Sequence, residues 1–514
     1  MSSPSSTSVP ADADALDRRV WLVATVVVLG AVMSILDTTV VNVAINTLAR
    51  EFATPLTTIQ WVATGYTLAL ATVIPLTGWG AERFGTKRLY MTSIILFVLG
   101  SVLSGLAWSS GSLIAFRVLQ GFGGGMIMPA GMTILTRAAG PHRVGRVMAV
   151  IGVPMMLGPI FGPVLGGWLV DSASWRWIFF INVPIGAIAL FASARILEKD
   201  VSQPGHKLDT LGLLLLSPSL AAIIFGLAKS GEKGGFNHAV VLVPVALGAI
   251  GFALWVRHSL KDPDEALIDL RLFKNKTFAA SIGVSALMII AVFGGMLLVP
   301  LYFQAVRGET ALQTGLLLIP QGIGAMIAMP IAGRLVDTTG TGRIVPVGLF
   351  IVALSFLGLT QLGGDTSYVW ISGLLLIQGL GMGSSMMPTF SGAMQTLRRR
   401  SIPRASTTLN INQQVAASIG TAVLSVLLAT AITDKLGGGG GGIGGAASAS
   451  AAVRARIAEP LAEAFGQTFW YALGLVVVAF VVALVALPKH KPEPVDDPDD
   501  DLPAEEAAAL AMVG

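Results

Sequence analysis

Long apolar runs separated by short polar segments dominate this chain of 514 residues. A helix that crosses a bilayer needs about 20 mostly apolar residues. Only 12% of the residues are charged, whereas soluble domains carry about 25%. A soluble core could not hide this much apolar surface, so the sequence predicts an all-α membrane protein with fourteen transmembrane helices. The predicted spans lie near residues 20–45, 58–79, 88–108, 112–136, 145–170, 176–197, 208–228, 239–257, 277–303, 312–336, 343–362, 367–392, 406–433 and 467–487.

Basic residues indicate how these spans are oriented. One set of loops and termini contains 24 of the 33 lysines and arginines, the alternate set contains eight, and Arg117 lies inside a predicted span. Because positive charge stays on the cytoplasmic side, both termini are expected to be cytoplasmic. Basic residues arranged in this way orient a membrane protein, so no nucleic-acid partner is expected. The absence of cysteine excludes disulfides, thiolate metal sites and cysteine nucleophiles.

Two short patterns occur twice along the chain. The segments 78–85 and 333–340 both read G-x-x-x-acid-x-x-G, and each follows a predicted span. The segments 120–125 and 378–383 both begin with Gln-Gly and carry glycines at the same spacing. In each set of six spans, the acid-containing pattern follows the second span and the Gln-Gly pattern lies in the fourth. The chain is therefore predicted to contain two six-helix halves, with two further spans inserted between them.

The repeat sets the expected boundaries. These are a cytoplasmic tail over 1–19, an N-terminal six-helix bundle over 20–198, two inserted helices with flanking cytoplasmic loops over 199–275, a C-terminal bundle over 276–487 that includes a Gly/Ala-rich external loop over 434–466, and an acidic cytoplasmic tail over 488–514.

Two charged residues, Asp37 and Arg117, fall deep inside predicted spans. A charge in the middle of a membrane costs about 3 kcal/mol even on the mildest scale, so such residues are functional candidates. From the span ends, Asp37 lies roughly 12 Å and Arg117 roughly 8 Å below the outer edge. The two charges are therefore expected at similar depths in the membrane. The alternative is an ion pair with a purely structural role.

Five motifs together resemble the fourteen-helix drug:proton antiporters of the major facilitator superfamily, the EmrB/QacA type. They are Leu36–Ala44 in the first span, Gly78–Arg88 as motif A, Arg117–Gly121 as motif B, Gly158–Gly167 as the antiporter motif C, and Trp175–Gly186. Three positions depart from the family pattern, which usually has aspartate at Glu82, an aliphatic residue at Gly80 and proline at Asn46. The resemblance implies the major facilitator fold, two six-helix bundles plus two inserted helices.

The resemblance also implies roles for individual residues. Asp37 would load and release the coupling proton, and Arg117 would tune it. Motif A would form a cytoplasmic latch between the halves, although a tight turn is the simpler alternative; its candidate residues are Gly78, Glu82, Arg83, Gly85, Lys87 and Arg88, with Gly333 and Asp337 in the second copy. Motif C accompanies antiport in relatives, with ordinary small-residue packing as the alternative; its candidate residues are Gly158, Gly162, Pro163, Gly166 and Gly167.

A substrate cavity is expected near the centre, where methionines are concentrated. Methionine is adaptable and suits a surface that binds varied compounds, although ordinary membrane packing or an interfacial aromatic belt would explain the same residues. The candidate lining residues are Trp61, Tyr66, Met126, Met155, Tyr302, Gln304 and Met386.

The expected function is proton-coupled multidrug efflux of small lipophilic neutral or cationic compounds across the bacterial plasma membrane. The alternative is a dedicated proton-driven exporter of an endogenous lipid or secreted metabolite. Enzymatic motifs such as HExxH and GxSxG are absent from the sequence, so no enzyme is expected. We expect a monomer in contact with membrane lipid, driven by protons, without a cofactor or metal.

Overall fold

The computed structural model describes residues 18–139, 143, 147, 158, 161–162, 165–170, 172–198, 208–233, 235–263, 266–398, 401–436 and 451–489. The helices among these residues include α1 (Arg18–Glu51), α2 (Leu56–Ile59), α3 (Trp61–Val73), α4 (Leu76–Phe84), α5 (Thr86–Gly105), α6 (Ser110–Ala139), α7 (Trp177–Phe180), α8 (Asn182–Ile196), α9 (Thr210–Lys233), α10 (Ala239–Lys261), α11 (Lys276–Ala305), α12 (Ala311–Leu317), α13 (Ile319–Thr339), α14 (Thr341–Leu359), α15 (Tyr368–Gln395), α16 (Ile402–Leu436) and α17 (Ala451–Ala486). A short 3-10 helix, Leu270–Lys274, precedes α11.

The predicted fold class is confirmed. Within the described residues, 12 helical segments are long and apolar enough to cross a membrane, or 13 when α3 and α4 are taken as one bent span. These segments match thirteen of the expected spans. The remaining one, near 145–170, lies mostly outside the described residues, although residues 165–170 are helical.

The second span is bent by 55° between α3 and α4. Pro75 lies at this break, immediately before α4. Proline has no backbone N–H to continue the helical hydrogen bonds and its ring displaces the preceding turn. The bend therefore follows from the sequence.

The internal repeat is also a repeat in packing. In α6, Gly121 faces α3 and Gly123 faces α5, and a Cβ at either position would come closer than 3.0 Å to the neighbouring helix. In α15, Gly379 faces α13 and Gly381 faces α14 in the same way. Each glycine pattern thus lets the fourth helix of its half lie directly against the second and third.

The G-x-x-x-acid-x-x-G segments end in the same backbone conformation. Gly85 has a φ of 84° and Gly340 a φ of 86°, values that disfavour residues with a side chain. Each glycine ends one helix and starts the next, at α4–α5 and α13–α14. We name the end of the bundle that carries these two glycines the motif A end.

The inserted helices α9 and α10 lie against both halves. On the N-terminal half, the Ser217 hydroxyl of α9 donates a 2.6 Å hydrogen bond to the Thr72 carbonyl of α3. On the C-terminal half, Gly231 of α9 approaches Ser425 of α16. A small apolar cluster also joins Leu216 and Trp255 of the pair to Ile411 and Val415 of α16. The inserted pair therefore covers the seam between α3 and α16.

Two expected boundaries are corrected. Helix α1 already begins at Arg18, inside the expected tail over 1–19. The expected external loop over 434–466 is too long, because α16 continues to Leu436 and α17 begins at Ala451. Alanine is the strongest helix former, and Leu461 and Phe465 are buried in the C-terminal half, which stabilises this extension. The connection at 199–207 and the tail from residue 490 lie outside the described residues.

Candidate functional site: a buried charge network

The carboxylate of Asp37 is completely buried, with an exposed side-chain fraction of 0%. Its Oδ2 accepts a 2.5 Å hydrogen bond from Arg117 Nη1. Its Oδ1 accepts hydrogen bonds from Gln120 Nε2 at 2.8 Å and from Asn182 Nδ2 at 3.0 Å. Three donors from α6 and α8 thus compensate an acid on α1, which is the condition for burying a charge.

The guanidinium of Arg117 is also fixed by several hydrogen bonds. Besides Asp37, Nη1 donates to Gln120 Oε1 at 2.7 Å, and Nε donates to the Val62 carbonyl of α3 at 3.2 Å. The guanidinium lies 4.1 Å from the ring centroid of Tyr66, an arrangement stabilised by the ring's negative face. A planar fork with several donors is needed for these simultaneous contacts.

Small and polar neighbours shape the space around the network. A Cβ at Gly124 would lie 2.7 Å from the Tyr66 hydroxyl, so glycine at this position leaves room for the tyrosine under Arg117. Asn182 donates a second hydrogen bond to Ser101 Oγ at 3.0 Å, and Ser101 donates to the Phe179 carbonyl. Five helices, α1, α3, α5, α6 and α8, therefore meet at one buried polar centre.

The structure brings Asp37 and Arg117 together, at the similar depths expected from the sequence. Sequence reasoning misses the other members of the network. It places Gln120 in the repeat and in motif B, Asn182 in the Trp175–Gly186 motif and Tyr66 in the substrate cavity. Amide side chains inside apolar segments were the available signal, since a buried amide requires polar partners.

Motif C packs on the helix that carries Asp37. A Cβ at Gly158 would overlap Ile35, and a Cβ at Gly162 would overlap Thr39. The Thr39 hydroxyl also lies 3.3 Å from the Gly158 carbonyl. At Gly166 a Cβ would lie within about 3 Å of Val40. Three glycines four residues apart thus form one face that lets α1 come close, as small-residue motifs do in membranes.

Two other predicted motif C residues do not add to this face. Gly167 has no heavy atom within 4 Å of the position that a Cβ would take, because it points away from α1. It is therefore not part of the contact. Pro163 lies outside the described residues.

Motif A joins the two halves at the motif A end. Both carboxylate oxygens of Glu82 accept hydrogen bonds from Arg404 of α16, at 2.9 Å from Nε and 3.1 Å from Nη2. Gly78 lies one turn earlier and faces Arg404 and Thr407. Glutamate at the usual aspartate position thus still reaches a partner. Arg404 was not singled out from the sequence, because nothing linked it to a position 322 residues away.

Further contacts between the halves surround this pair. The Ser406 hydroxyl of α16 donates a 2.9 Å hydrogen bond to the Pro129 carbonyl of α6. Asn410 of α16 lies 3.4 Å from the Met132 sulfur of α6. We name the contacts of α16 with α4 and α6 the latch, because they close the two halves together at the motif A end.

The remaining motif A residues lie at or near the end of α4 and the start of α5, and in the second copy within α13. Lys87 Nζ donates to the Ala194 carbonyl at 2.9 Å and also to the Leu197 carbonyl, where it caps the C-terminus of α8, a favourable place for a cation. Arg83 is half-buried and Arg88 is exposed. In the second copy, Gly333 is buried within α13 and Asp337 lies in its last turn; the Asp337 side chain lies outside the described part.

Three expected cavity residues have other surroundings. Trp61 stacks on Phe225 of α9, with ring centroids 5.7 Å apart, and is 39% exposed. Tyr302 is fully buried inside the C-terminal half, where its hydroxyl donates a 2.6 Å hydrogen bond to the Gly363 carbonyl. Gln304 is exposed near the end of α11. Trp61 and Tyr302 therefore contact other helices, and the cavity-lining role of the three residues stays a prediction.

The predicted methionines are divided between the two halves. Met126 is buried in α6 and Met386 is buried in α15, and Met155 lies outside the described residues. Met386 lines a small apolar pocket between α11 and α15. The residues around this pocket are Met288, Ile289, Val292, Phe293, Met382 and Met386.

Comparisons with known proteins agree with this architecture. The profile of the Major Facilitator Superfamily matches residues 27–421. The chain is 46% identical over 418 residues to a Mycobacterium tuberculosis protein named multidrug resistance protein B homolog, covering 81% of this chain and 77% of that protein. It is 32% identical over 401 residues to the Haemophilus influenzae multidrug export protein EmrB, covering 78% of each.

Two solved structures share the fold. The human organic anion transporter MFSD10 superposes with a TM-score of 0.64 at 15% identity, over 91% of this chain and 100% of that chain. The proton:xylose symporter XylE superposes with a TM-score of 0.62 at 15% identity, over 96% of this chain and 98% of that chain. With the matched profile and the two repeated halves, these findings show that the chain is a multi-pass membrane protein belonging to the Major Facilitator Superfamily of transporters.

Proposed function

We propose that this protein exports small lipophilic neutral or singly charged cationic compounds in exchange for protons. The observation that carries the proposal is the buried network in which Asp37 is the acid and Arg117 the base. Ionisable residues inside a membrane bundle typically mark proton or substrate pathways. The names of the relatives from Mycobacterium tuberculosis and Haemophilus influenzae refer to multidrug resistance and multidrug export, which supports a drug-like substrate class.

Proton exchange follows from the contacts of Asp37. A proton that binds to Asp37 Oδ2 removes the charge that attracts Arg117 and displaces its Nη1 donor, while Oδ1 still accepts from Gln120 and Asn182. The glycine face of motif C gives α1 a close neighbour against which it can move, with the 3.3 Å contact of the Thr39 hydroxyl to the Gly158 carbonyl as a hydrogen bond across it. Loading and release of the proton thereby change how α1 packs.

The latch is the part of the proposed mechanism that opens and closes the protein. The contacts Glu82–Arg404 and Ser406–Pro129 close the halves at the motif A end, which the basic loops orient toward the cytoplasm. We infer that the closed latch corresponds to the outward-facing stage and that it opens when the cavity faces inward. Parallel halves around a central site support such alternating access.

The number of buried carboxylates limits the positive charge that an exported compound is expected to carry. Asp37 is the acidic residue found deep in the spans, and a dication would need a second carboxylate to compensate its charge in a low-dielectric cavity. We therefore expect neutral and singly charged compounds to be exported faster than dications of similar size. Equal rates for singly and doubly charged dyes would contradict this expectation.

Reconstituted vesicles test the function. Purified protein is placed in liposomes with an imposed pH gradient, and the movement of a lipophilic dye and of protons is recorded together. We expect dye to move against its gradient while protons move the other way, and both fluxes to stop when the gradient is dissipated. Dye movement without proton countermovement would contradict proton antiport. A lipid extract assayed in parallel addresses the alternative of a dedicated lipid exporter.

The orientation has its own test. The chain lacks cysteine, so single cysteines report accessibility without a background. We expect Ser110→Cys, between α5 and α6, to react with an impermeant thiol reagent in intact cells, and Ser401→Cys, just before α16, to react only after the membrane is opened. The reverse pattern would invert the proposed topology.

A further inference from the structure

Gln378 is a buried amide without a partner among the described residues. It lies in the middle of α15 with an exposed fraction of 0%, and neither its Oε1 nor its Nε2 makes a hydrogen bond within the part of the chain that the structure describes. Buried side-chain amides are nearly always hydrogen-bonded, because burial without partners is unfavourable. An unpaired amide at this place therefore requires an explanation.

The internal repeat shows what the same residue does when it is paired. Gln120 occupies the corresponding position of α6, and there its amide donates to Asp37 and accepts from Arg117. In α15 the residue three positions before the glutamine is Leu375 in place of arginine. The C-terminal half therefore keeps the glutamine but lacks the partner that occupies it in the N-terminal half.

The position of Gln378 connects it to the apolar pocket. Residues four apart share one face of a helix, so Gln378 lies on the same face of α15 as Met382 and Met386, both of which line the pocket against α11. Gln321 of α13 is buried beside them, and its amide is directed to the Met382 sulfur at 3.5 Å, a weak acceptor. Gln378, one helical turn before Met382, thus places an unpaired amide next to the pocket wall.

Methionine side chains make the pocket adaptable. They are unbranched and rotate easily, so they can open space for ligands of different shape. Ligand sites are typically apolar with a few polar groups that fix orientation. The pocket between α11 and α15 supplies an apolar wall with three methionines, and Gln378 supplies a polar group one helical turn before Met382.

We propose that Gln378 is the hydrogen-bonding anchor of a substrate site in the C-terminal half, which selects lipophilic compounds that carry an amine, amide or hydroxyl group. The proposal rests on the export function and adds the chemistry by which the substrate is chosen. The Gln378 amide offers both a donor and an acceptor, and the side chains that line the neighbouring pocket are all uncharged. Recognition at this site therefore depends on hydrogen bonding and burial, separately from the charge network of the N-terminal half.

Two monocationic probes distinguish the contributions. Ethidium carries two aromatic amines, whereas tetraphenylphosphonium is lipophilic and has no hydrogen-bonding group. We expect Gln378→Leu to lower kcat/KM for proton-driven export of ethidium at least about tenfold and to change that of tetraphenylphosphonium less than about twofold. Gln361→Leu, the same substitution at an exposed position after α14, serves as the control and is expected to affect neither. Gln378→Met, which keeps the side-chain length, should behave as Gln378→Leu does.

The outcomes separate the inference from the function on which it rests. Equal losses for both probes would make Gln378 a structural residue and overturn the inference, and so would unchanged export of both. A wild-type protein that exports neither probe under a proton gradient would contradict the proposed function, and the inference would fall with it. Thermal unfolding gives a second measurement: Gln378→Leu should unfold at a temperature no lower than wild type, because no hydrogen bond is lost. A clear decrease would contradict an unpaired amide.

Discussion

The two halves of the transporter share a scaffold but differ at its centre. In the N-terminal half, Arg117 and Gln120 of α6 bind the carboxylate of α1. In the C-terminal half, the corresponding positions of α15 are Leu375 and Gln378, and the amide of Gln378 is unpaired. Helix α11, the counterpart of α1, has no charged residue after Lys276. One half therefore concentrates charge and satisfied hydrogen bonds, and the other presents apolar surface with a free amide.

This difference indicates a division of labour within one repeat. The glycines that pack α6 and α15 against their neighbours have the same geometry in both halves, so the scaffold does not require the charge network. A buried ion pair is weak evidence for stability, since apolar replacements often fold as well. In the proposed mechanism the charges of the N-terminal half serve proton coupling, and the C-terminal half has no equivalent of them in α11 or at Leu375 of α15.

The largest expected effect concerns the base of the network. We expect Arg117→Lys to lower proton-driven export about 100-fold, equivalent to about 3 kcal/mol, because a point charge cannot replace the contacts of a planar fork. Export by reconstituted vesicles measures this. Arg343→Lys, at an exposed position of α14, is the matched control and should export as wild type does. Near-normal export by Arg117→Lys would mean that charge alone suffices.

The paired glutamines give the most direct contrast between the halves. Gln120→Leu removes hydrogen bonds to two charged groups, each worth roughly 1.5–3 kcal/mol, so we expect a thermal midpoint several degrees below wild type and weak proton coupling. Gln378→Leu should lower neither the midpoint nor proton coupling with tetraphenylphosphonium. Equal destabilisation by both substitutions would remove the distinction between an occupied and a free amide.

The motif C face predicts a smaller, steric effect. A leucine at Gly162 would overlap Thr39 on the helix that carries Asp37, and overpacking of this kind costs about 1–3 kcal/mol. We expect Gly162→Leu to lower export about tenfold, whereas Gly167→Leu, which meets open space, should have little effect. Export assays on the two variants at matched expression measure the difference. Equal losses would show that the helix needs glycine for flexibility and that contact with α1 is irrelevant.

The smallest effect is expected at the latch. The Glu82–Arg404 pair is partly accessible, with exposed side-chain fractions of 14% for Arg404 and 10% for Glu82, so its coupling energy should be about 1 kcal/mol. We expect Glu82→Ala and Arg404→Ala each to slow export a few-fold. The double variant should be no slower than either single one. Additive losses would show that the two residues act independently and that their contact does not close the transporter.

Some features of the fold and of the site can be predicted from the local sequence, and others cannot. Thirteen of the expected spans and the similar depth of Asp37 and Arg117 follow from apolar length and helical rise, which are local quantities. Glycine spacing at 120–125 and 378–383 predicted the symmetry correctly for the same reason.

Other features depend on contacts between distant segments. The Glu82–Arg404 pair joins residues in different halves, and the stacking of Trp61 on Phe225 depends on where the inserted pair lies. Aromatic residues near span ends have the same local pattern whether they face a cavity, lipid or another helix, so the sequence alone could not predict the contacts of Trp61 and Tyr302. The unpaired state of Gln378 is likewise visible only when every neighbour of α15 is in place.

The central claim is that Asp37 couples protons to export, and one comparison tests it most directly. Asp37→Asn is measured in proteoliposomes for two activities, export driven by a pH gradient and exchange of labelled for unlabelled substrate without a gradient. Asp365→Asn, at an exposed position between α14 and α15, is the matched control. We predict that Asp37→Asn loses gradient-driven export and proton countermovement while it keeps substrate exchange, because asparagine resembles the protonated acid but cannot release a proton. Full gradient-driven export by Asp37→Asn would contradict the account and place the coupling site elsewhere.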